Sequence, residues 1–140
     1  MTAIDAALIA AYQATDYVVF EDDAETVLRI GELNPAVDAL LKRHGAEQAA
    51  VITAWNPASV ILSDQENEAR ETVLWRWIGD HQRFALAAEG RDRSGKWRPE
   101  QSCLIFDITA DQAEALGREF GQNAIVHLRL GEAPRLLLLR

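Results

Sequence analysis

The sequence predicts an α/β (α+β) fold in which about four helices pack on a central mixed β-sheet. Helix start signals precede apolar residues at helical spacing, and these segments alternate with short apolar stretches joined by turns. The length of 140 residues suits one ordinary domain, so a single domain over residues 1–140 is expected. Several connections between strands are too short for a parallel crossover. The predicted order is therefore α-β-β-α-β-α-β-β-α-β-β.

The N-terminal third predicts a helix followed by a hairpin. Thr2 can cap a helix that places Leu8 and Tyr12 on one face. The apolar segments YVVF (Tyr17–Phe20) and ETVLRI (Glu25–Ile30) flank an acidic turn, which is typical of a β-hairpin.

A second helix and a central strand follow. Asn34 is a good N-cap, Pro35 suits the first helical position, and Gly45 is a typical stop. The segment QAAVITAW (Gln48–Trp55) is too apolar for a strand with one solvated face. It is therefore predicted to run through the centre of the sheet.

Two capping boxes mark the helices of the second half. SDQE (Ser63–Glu66) opens a helix whose expected core positions are Val73, Leu74, Trp77 and Ile78. Within it, Glu66 and Arg70 have the spacing of an ordinary ion pair. TADQ (Thr109–Gln112) opens the last helix, which ends at Gly121 after a close-packing position at Gly117.

Four strands complete the second half. RFALAAE (Arg83–Glu89) and SCLIFDI (Ser102–Ile108) are separated by a polar loop that contains Gly90. NAIVHLRL and PRLLLLR close the chain around the turn GEAP.

Composition excludes several classes of function. The formal net charge of −8 argues against nucleic acid and against an anionic membrane surface, because both attract clustered basic residues. Cys103 is the single cysteine, which suits a reducing cytoplasm and an inert core thiol. The N-terminus lacks the positive charge of a signal peptide. No metal or dinucleotide motif is present and the three histidines are scattered, so no metal site is predicted, and the sequence leaves the cofactor unknown.

The first polar patch follows the central strand and continues into the next helix. Asn56 before Pro57 suits a turn, and capping alone explains Ser63 and Glu66. Alternatively, the helix start at Ser63 could bind an anion. The candidate ligand-binding residues here are Thr53, Asn56, Ser59 and Asn67.

The second patch is the loop EGRDRSGKWRPEQS (Glu89–Ser102). It can be a solvated hairpin loop with Trp97 covering the core, although loops of this length are more often functional. Glu100 and Ser102, two residues apart on a strand, point to the same face. Glu100 and Asp92 are candidate catalytic carboxylates, provided that burial or a neighbour shifts the pKa.

The third patch is the turn after the last helix. Gln122 either is an exposed amide at the helix end or projects toward the other two patches.

These segments resemble a known family. TDYVV (Thr15–Val19), ITAWNPAS (Ile52–Ser59), S-x-x-E-N (Ser63–Asn67), EGRDRSGKWRPEQS and ALGREFGQNAIV (Ala115–Val126) are similar to the bacterial family catalogued as domain of unknown function 3293. The family implies no reaction, cofactor or partner, but its pattern is concentrated in the three patches. Gln101 and Cys103 depart from that pattern, which tends to Pro and Phe there; this departure concerns packing.

Two hypotheses about function remain open. In the first, the three patches meet at one edge of the sheet and form a small-molecule site, either binding or catalytic, with Ser102 and Gln122 among its ligand-binding residues. In the second, Trp55, Trp97 and the LLLL run (Leu136–Leu139) form a protein-interaction surface, and the C-terminal strand could pair between subunits of a homo-oligomer. A concave pocket would favour the first hypothesis, and a flat face with exposed tryptophan the second.

Overall fold

A computed structural model describes residues 4–139. The helices are α1 (Ala6–Gln13), α2 (Pro35–Arg43), α3 (Asp64–Asp80) and α4 (Ala110–Glu119), with one 3-10 turn at Pro57–Ser59. The strands are β1 (Thr15–Glu21), β2 (Ala24–Leu28), β3 (Gln48–Ile52), β4 (Ala85–Asp92), β5 (Glu100–Phe106), β6 (Ala124–Arg129) and β7 (Arg135–Leu138). The predicted order of elements is confirmed. Among the described residues, no helix has both the length and the apolar character that a membrane crossing requires.

All seven strands form one sheet in the order β2-β1-β4-β5-β3-β6-β7. Every pairing in it is antiparallel, so the prediction of a mixed sheet is wrong in strand direction. Three hairpins, β1–β2, β4–β5 and β6–β7, provide half of the six pairings. After β5 the chain passes through α4 and returns as β6, which pairs antiparallel with β3. The central position of β3 is confirmed, since it pairs with β5 and β6.

Helices cover both faces of the sheet. In β3, Ala49 and Val51 face a core cluster that includes Leu40 and Leu41 of α2. Ala50 and Ile52 face a second cluster, which contains side chains of α3 and α4. The uninterrupted apolar run in β3 therefore reflects burial on both sides.

Asp5 caps α1 by accepting a hydrogen bond from the Leu8 amide at 2.8 Å. The predicted cap, Thr2, lies outside the described residues. Residues 63–66 and 109–112 form the two predicted capping boxes.

Two details of α3 differ from the predictions. Val73 is 51% exposed, because it faces away from the sheet on which Leu74 and Ile78 pack. Arg70 does not pair with Glu66; its guanidinium donates to the backbone carbonyls of Ala54 and Phe120. These bonds attach α3 to the end of β3 and to the end of α4.

Candidate functional site

A cavity of about 550 Å³ lies on the α2 face of the sheet. It is located at one end of the strands, which α2 does not cover. Its floor includes Val51, Val126 and Tyr17, which also belong to the core cluster under α2. The walls come from α1, from the segment 55–62 and from the loop 93–99. The site therefore depends on segments from the whole length of the chain.

Strand register builds the polar part of the floor. Tyr17 in β1 lies opposite Gly90 in β4, and Gly90 lies opposite Glu100 in β5. Ser102 is two residues further along β5 and therefore faces the same side. Because β4 continues to Asp92, Gly90 belongs to a strand and the connecting loop is shorter than the sequence suggested.

Ser102 lines the cavity and carries a buried hydroxyl group. The residue is only 5% exposed, and its Oγ has no hydrogen bond within the described part of the chain. A buried hydroxyl that is left unsatisfied costs about 1–3 kcal/mol. Buried hydroxyl groups are normally paired, so the Ser102 hydroxyl is an exception that calls for an explanation.

Glu100 is the carboxylate of the floor. Its Oε1 accepts a hydrogen bond from Asn56 Nδ2 at 2.8 Å. Burial raises the pKa of Glu100 above its ordinary value, and the bond from Asn56 opposes that rise. Burial also raises the pKa of the neighbouring Tyr17 phenol above its ordinary value. The floor thus carries a desolvated carboxyl group beside hydroxyl groups.

The segment after β3 has a strained backbone. Asn56, Ala58 and Ser59 have φ values of 45°, 54° and 62°, in the left-handed region that side chains other than glycine seldom adopt. Such conformations persist only where the surroundings enforce them, and they are frequent at functional sites.

An amide pair enforces this conformation. The Asn56 amide N–H donates to Asn67 Oδ1, and Asn67 Nδ2 donates to Asn56 Oδ1, both at 2.9 Å. Asn56 Oδ1 also accepts from the Leu62 amide. Asn67 is 1% exposed, and both its Oδ1 and its Nδ2 are hydrogen-bonded to Asn56. It holds Asn56 in the orientation that reaches Glu100.

The turn after α4 supports the same segment. Gln122 Nε2 donates to the Trp55 carbonyl at 3.1 Å, and Asn123 Nδ2 donates to Ser59 Oγ at 3.0 Å. Gly121 has a φ of +69°, and a Cβ there would lie 3.1 Å from Pro57 Cβ. A glycine is thus needed both for the turn and for the close approach of the two segments.

The rim of the cavity is charged. Lys96 and Arg98 line it from the loop before β5, and Arg98 lies 3.1 Å from the carboxylate of Asp64. The start of α3 is a poor site for an anion, because its capping box is satisfied internally and its first turn contains Asp64 and Glu66.

The cavity gathers most of the predicted site residues. Its lining includes Glu100 and all six ligand-binding candidates, Thr53, Asn56, Ser59, Asn67, Ser102 and Gln122. Asp92 is not among the residues that line it. The Asp92 carboxylate accepts hydrogen bonds from the Ser94 and Lys96 amides, and these bonds lower its pKa although partial burial acts in the opposite direction. Its role is to shape the loop.

Sequence reasoning missed three contributors to the site. Tyr12 and Tyr17 line the cavity from the first helix and strand, and Gly90 provides a floor position without a side chain. Gly90 had a usable signal, because an isolated glycine within a strand often marks a close approach of another group. The described residues contain no group of three His, Cys, Asp or Glu side chains that could hold a metal ion.

Comparison with known proteins gives a family but no activity. The family model described as "Protein of unknown function (DUF3293)" matches residues 52–125, more than half of the chain. No curated protein and no solved structure gives a significant match. The matched segment contains the amide pair, the loop before β5 and the turn at Gln122. The chain belongs to the family of proteins of unknown function DUF3293.

Proposed function

We propose that the chain binds a small organic molecule in the cavity. The observation that carries this proposal is the buried Ser102 hydroxyl, which has no partner within the described residues, in a residue that lines a cavity of about 550 Å³. Folding gains nothing from an unsatisfied hydroxyl at this position, whereas a ligand could pair with it.

The dimensions and chemistry of the cavity support a small-molecule ligand. Binding sites for such ligands are typically about 300–1,000 Å³ and mostly apolar, with a few polar groups that fix orientation. Here the apolar walls include Leu8, Trp97 and Leu136, and the fixed polar groups are Glu100 and Ser102.

Glu100 is the catalytic candidate of this site, if the bound molecule is also transformed. A carboxyl group whose pKa lies above its ordinary value is better matched to proton transfer near neutral pH than an unperturbed one. Asn56 holds one of its oxygens at 2.8 Å, which fixes the direction of the other. Asp92 is not proposed for this role.

The proposal can be tested with 1-anilinonaphthalene-8-sulfonate, whose fluorescence rises in apolar cavities. Saturable binding to the native protein is expected. Ala124 lines the cavity, so Ala124→Phe should fill part of it and weaken binding about tenfold or more. Ala39→Phe is the matched control, since Ala39 is exposed on α2.

Near-UV circular dichroism must show native packing in both variants, because partly folded states also bind this dye. Absence of saturable binding, or equal affinity in the two variants, would contradict the proposal.

The alternative, a protein-interaction surface, receives less support. Trp55 and Leu139 are each 8% exposed, and Leu136 lines the cavity. Leu138 is 41% exposed on β7, which is an edge strand. A homo-oligomer formed through β7 therefore stays a prediction.

A further inference from the structure

The two ends of the cavity differ in charge. The inner end contains the carboxyl group of Glu100, whereas Lys96 and Arg98 lie at the rim. Asp64 pairs with Arg98, and none of the ion pairs found within residues 4–139 involves Lys96. The rim therefore has an ammonium group available for a ligand.

Aromatic side chains lie between these ends. Tyr12, Tyr17 and Trp97 all line the cavity. A Cβ added to Gly90 would be 3.9 Å from Trp97 Cη2 and 3.8 Å from Tyr17 Cε1, so both rings reach the floor where Gly90 has no side chain. Aromatic walls favour a flat, ring-containing ligand, which can pack against their faces or edges.

We propose that the ligand is an aromatic molecule with opposite polarity at its ends: an amine or other N–H donor directed at Glu100 and Ser102, and an acidic group directed at Lys96. This inference rests on the proposed function, because it assigns a chemical class to the molecule in the same cavity.

The orientation follows from the cost of burying charge. An acidic group at the floor would face the Glu100 carboxylate in a poorly solvated place, and like charges there repel strongly. An N–H donor at the same position forms a charge-assisted hydrogen bond, and Ser102 Oγ can accept a second one. At the rim, an acidic group meets Lys96 without having to displace a carboxylate partner.

Four naphthalene probes of similar size test the orientation. They are 2-naphthalenemethanol, 2-naphthylmethylamine, 2-naphthoic acid and 6-(aminomethyl)-2-naphthoic acid, and their affinities are measured by isothermal titration calorimetry. We expect the probe with both charged groups to bind most tightly, at least about tenfold better than the neutral alcohol.

Two variants separate the ends of the cavity. Glu100→Gln should weaken binding of the two amine probes about tenfold and leave the alcohol within about twofold. Lys96→Met should weaken only the two acids, by a smaller factor because the rim is exposed. Lys42→Met is the matched control, since Lys42 is exposed on α2 outside the cavity lining.

Each outcome decides between the two proposals. If the alcohol binds and the charged probes bind no better, the cavity is a ligand site but the inference about polarity is wrong. Tighter binding of 2-naphthoic acid to Glu100→Gln than to the wild type would place the acidic group at the floor and reverse the orientation. Absence of binding by all four probes would overturn the proposed function and the inference together.

Discussion

The two faces of the sheet use small residues for opposite purposes. On the face covered by α3 and α4, Gly117 allows close contact: a Cβ there would be 2.6 Å from Leu139 Cδ1 and 2.7 Å from Ile125 Cγ2. On the other face, Gly90 and Ser102 line a cavity at the end of the strands, and the buried Ser102 Oγ has no hydrogen-bond partner among residues 4–139. The face under α3 and α4 is close-packed, whereas the α2 face has a cavity at one end of the strands.

That difference supports the proposal of a ligand site in the cavity. A protein interior is normally close-packed, and its polar groups are normally paired. A cavity that contains an unpaired hydroxyl and a desolvated carboxyl group departs from both rules at one place. Such local departures are expected at functional sites.

Gly117→Val should have the largest effect on stability. The added methyl groups would overlap Leu139 and Ile125, so we expect the free energy of unfolding to fall by about 3 kcal/mol, the upper part of the range for overpacked cores. Urea denaturation measures the change.

The matched control on the other face is Gly90→Ala. Its Cβ would meet no atom closer than 3.5 Å, so the change should stay within about 1 kcal/mol. Equal losses in the two variants would show that the two glycines have the same role.

Asn67→Ala should have the next largest effect, because it removes the amide that holds the strained segment. The partly buried Asn56 amide would lose its acceptor, and a loss of about 2 kcal/mol is expected. The variant should also weaken binding of 1-anilinonaphthalene-8-sulfonate, since Asn56 would no longer be held against Glu100.

Gln65→Ala is the control on the same turn of α3, where Gln65 is exposed. It should change neither the stability by more than about 0.5 kcal/mol nor the binding of the dye. An unchanged denaturation midpoint in Asn67→Ala would mean that the segment holds its conformation without the amide pair.

Glu100→Gln should have the smallest effect on stability. At neutral pH it should stabilise the protein, whereas Gly117→Val and Asn67→Ala destabilise it. Because the folded protein raises the pKa of Glu100, it binds this proton more tightly than the unfolded chain does. Protonated Glu100 therefore contributes stability to the fold. This contribution is fully present below the ordinary pKa near 4.5, and it is lost as the pH rises through the pKa of Glu100 in the folded protein. The glutamine keeps the uncharged form at every pH.

The melting temperature of Glu100→Gln should therefore exceed that of the wild type at pH 7.5, and the difference should shrink at pH 4.5. A difference that is constant over this range would show that Glu100 titrates alike in the folded and unfolded chains.

Much of the local structure was predictable from the sequence. Asn34, Ser63 and Thr109 cap their helices as expected, because a cap involves residues two or three positions apart. The candidate site was partly predictable because Asn56 follows β3, Glu100 begins β5 and Gln122 precedes β6, and such positions collect at sheet ends. The contribution of Tyr12 and Tyr17 was not predictable, because nothing near them in the chain indicates that β1 pairs with β4.

The sequence by itself determined the order of helices and strands, the caps of α2, α3 and α4, and the place of β3 inside the sheet, because these depend on neighbouring residues and on the length of apolar runs. Only the tertiary structure decided that the paired strands run antiparallel, that Asp92 lies outside the cavity lining, and that the buried Ser102 hydroxyl has no partner in the described part of the chain. These properties depend on which distant segments meet. The physical reason is that packing and desolvation are set by neighbours in space, which the spacing of residues along the chain does not specify.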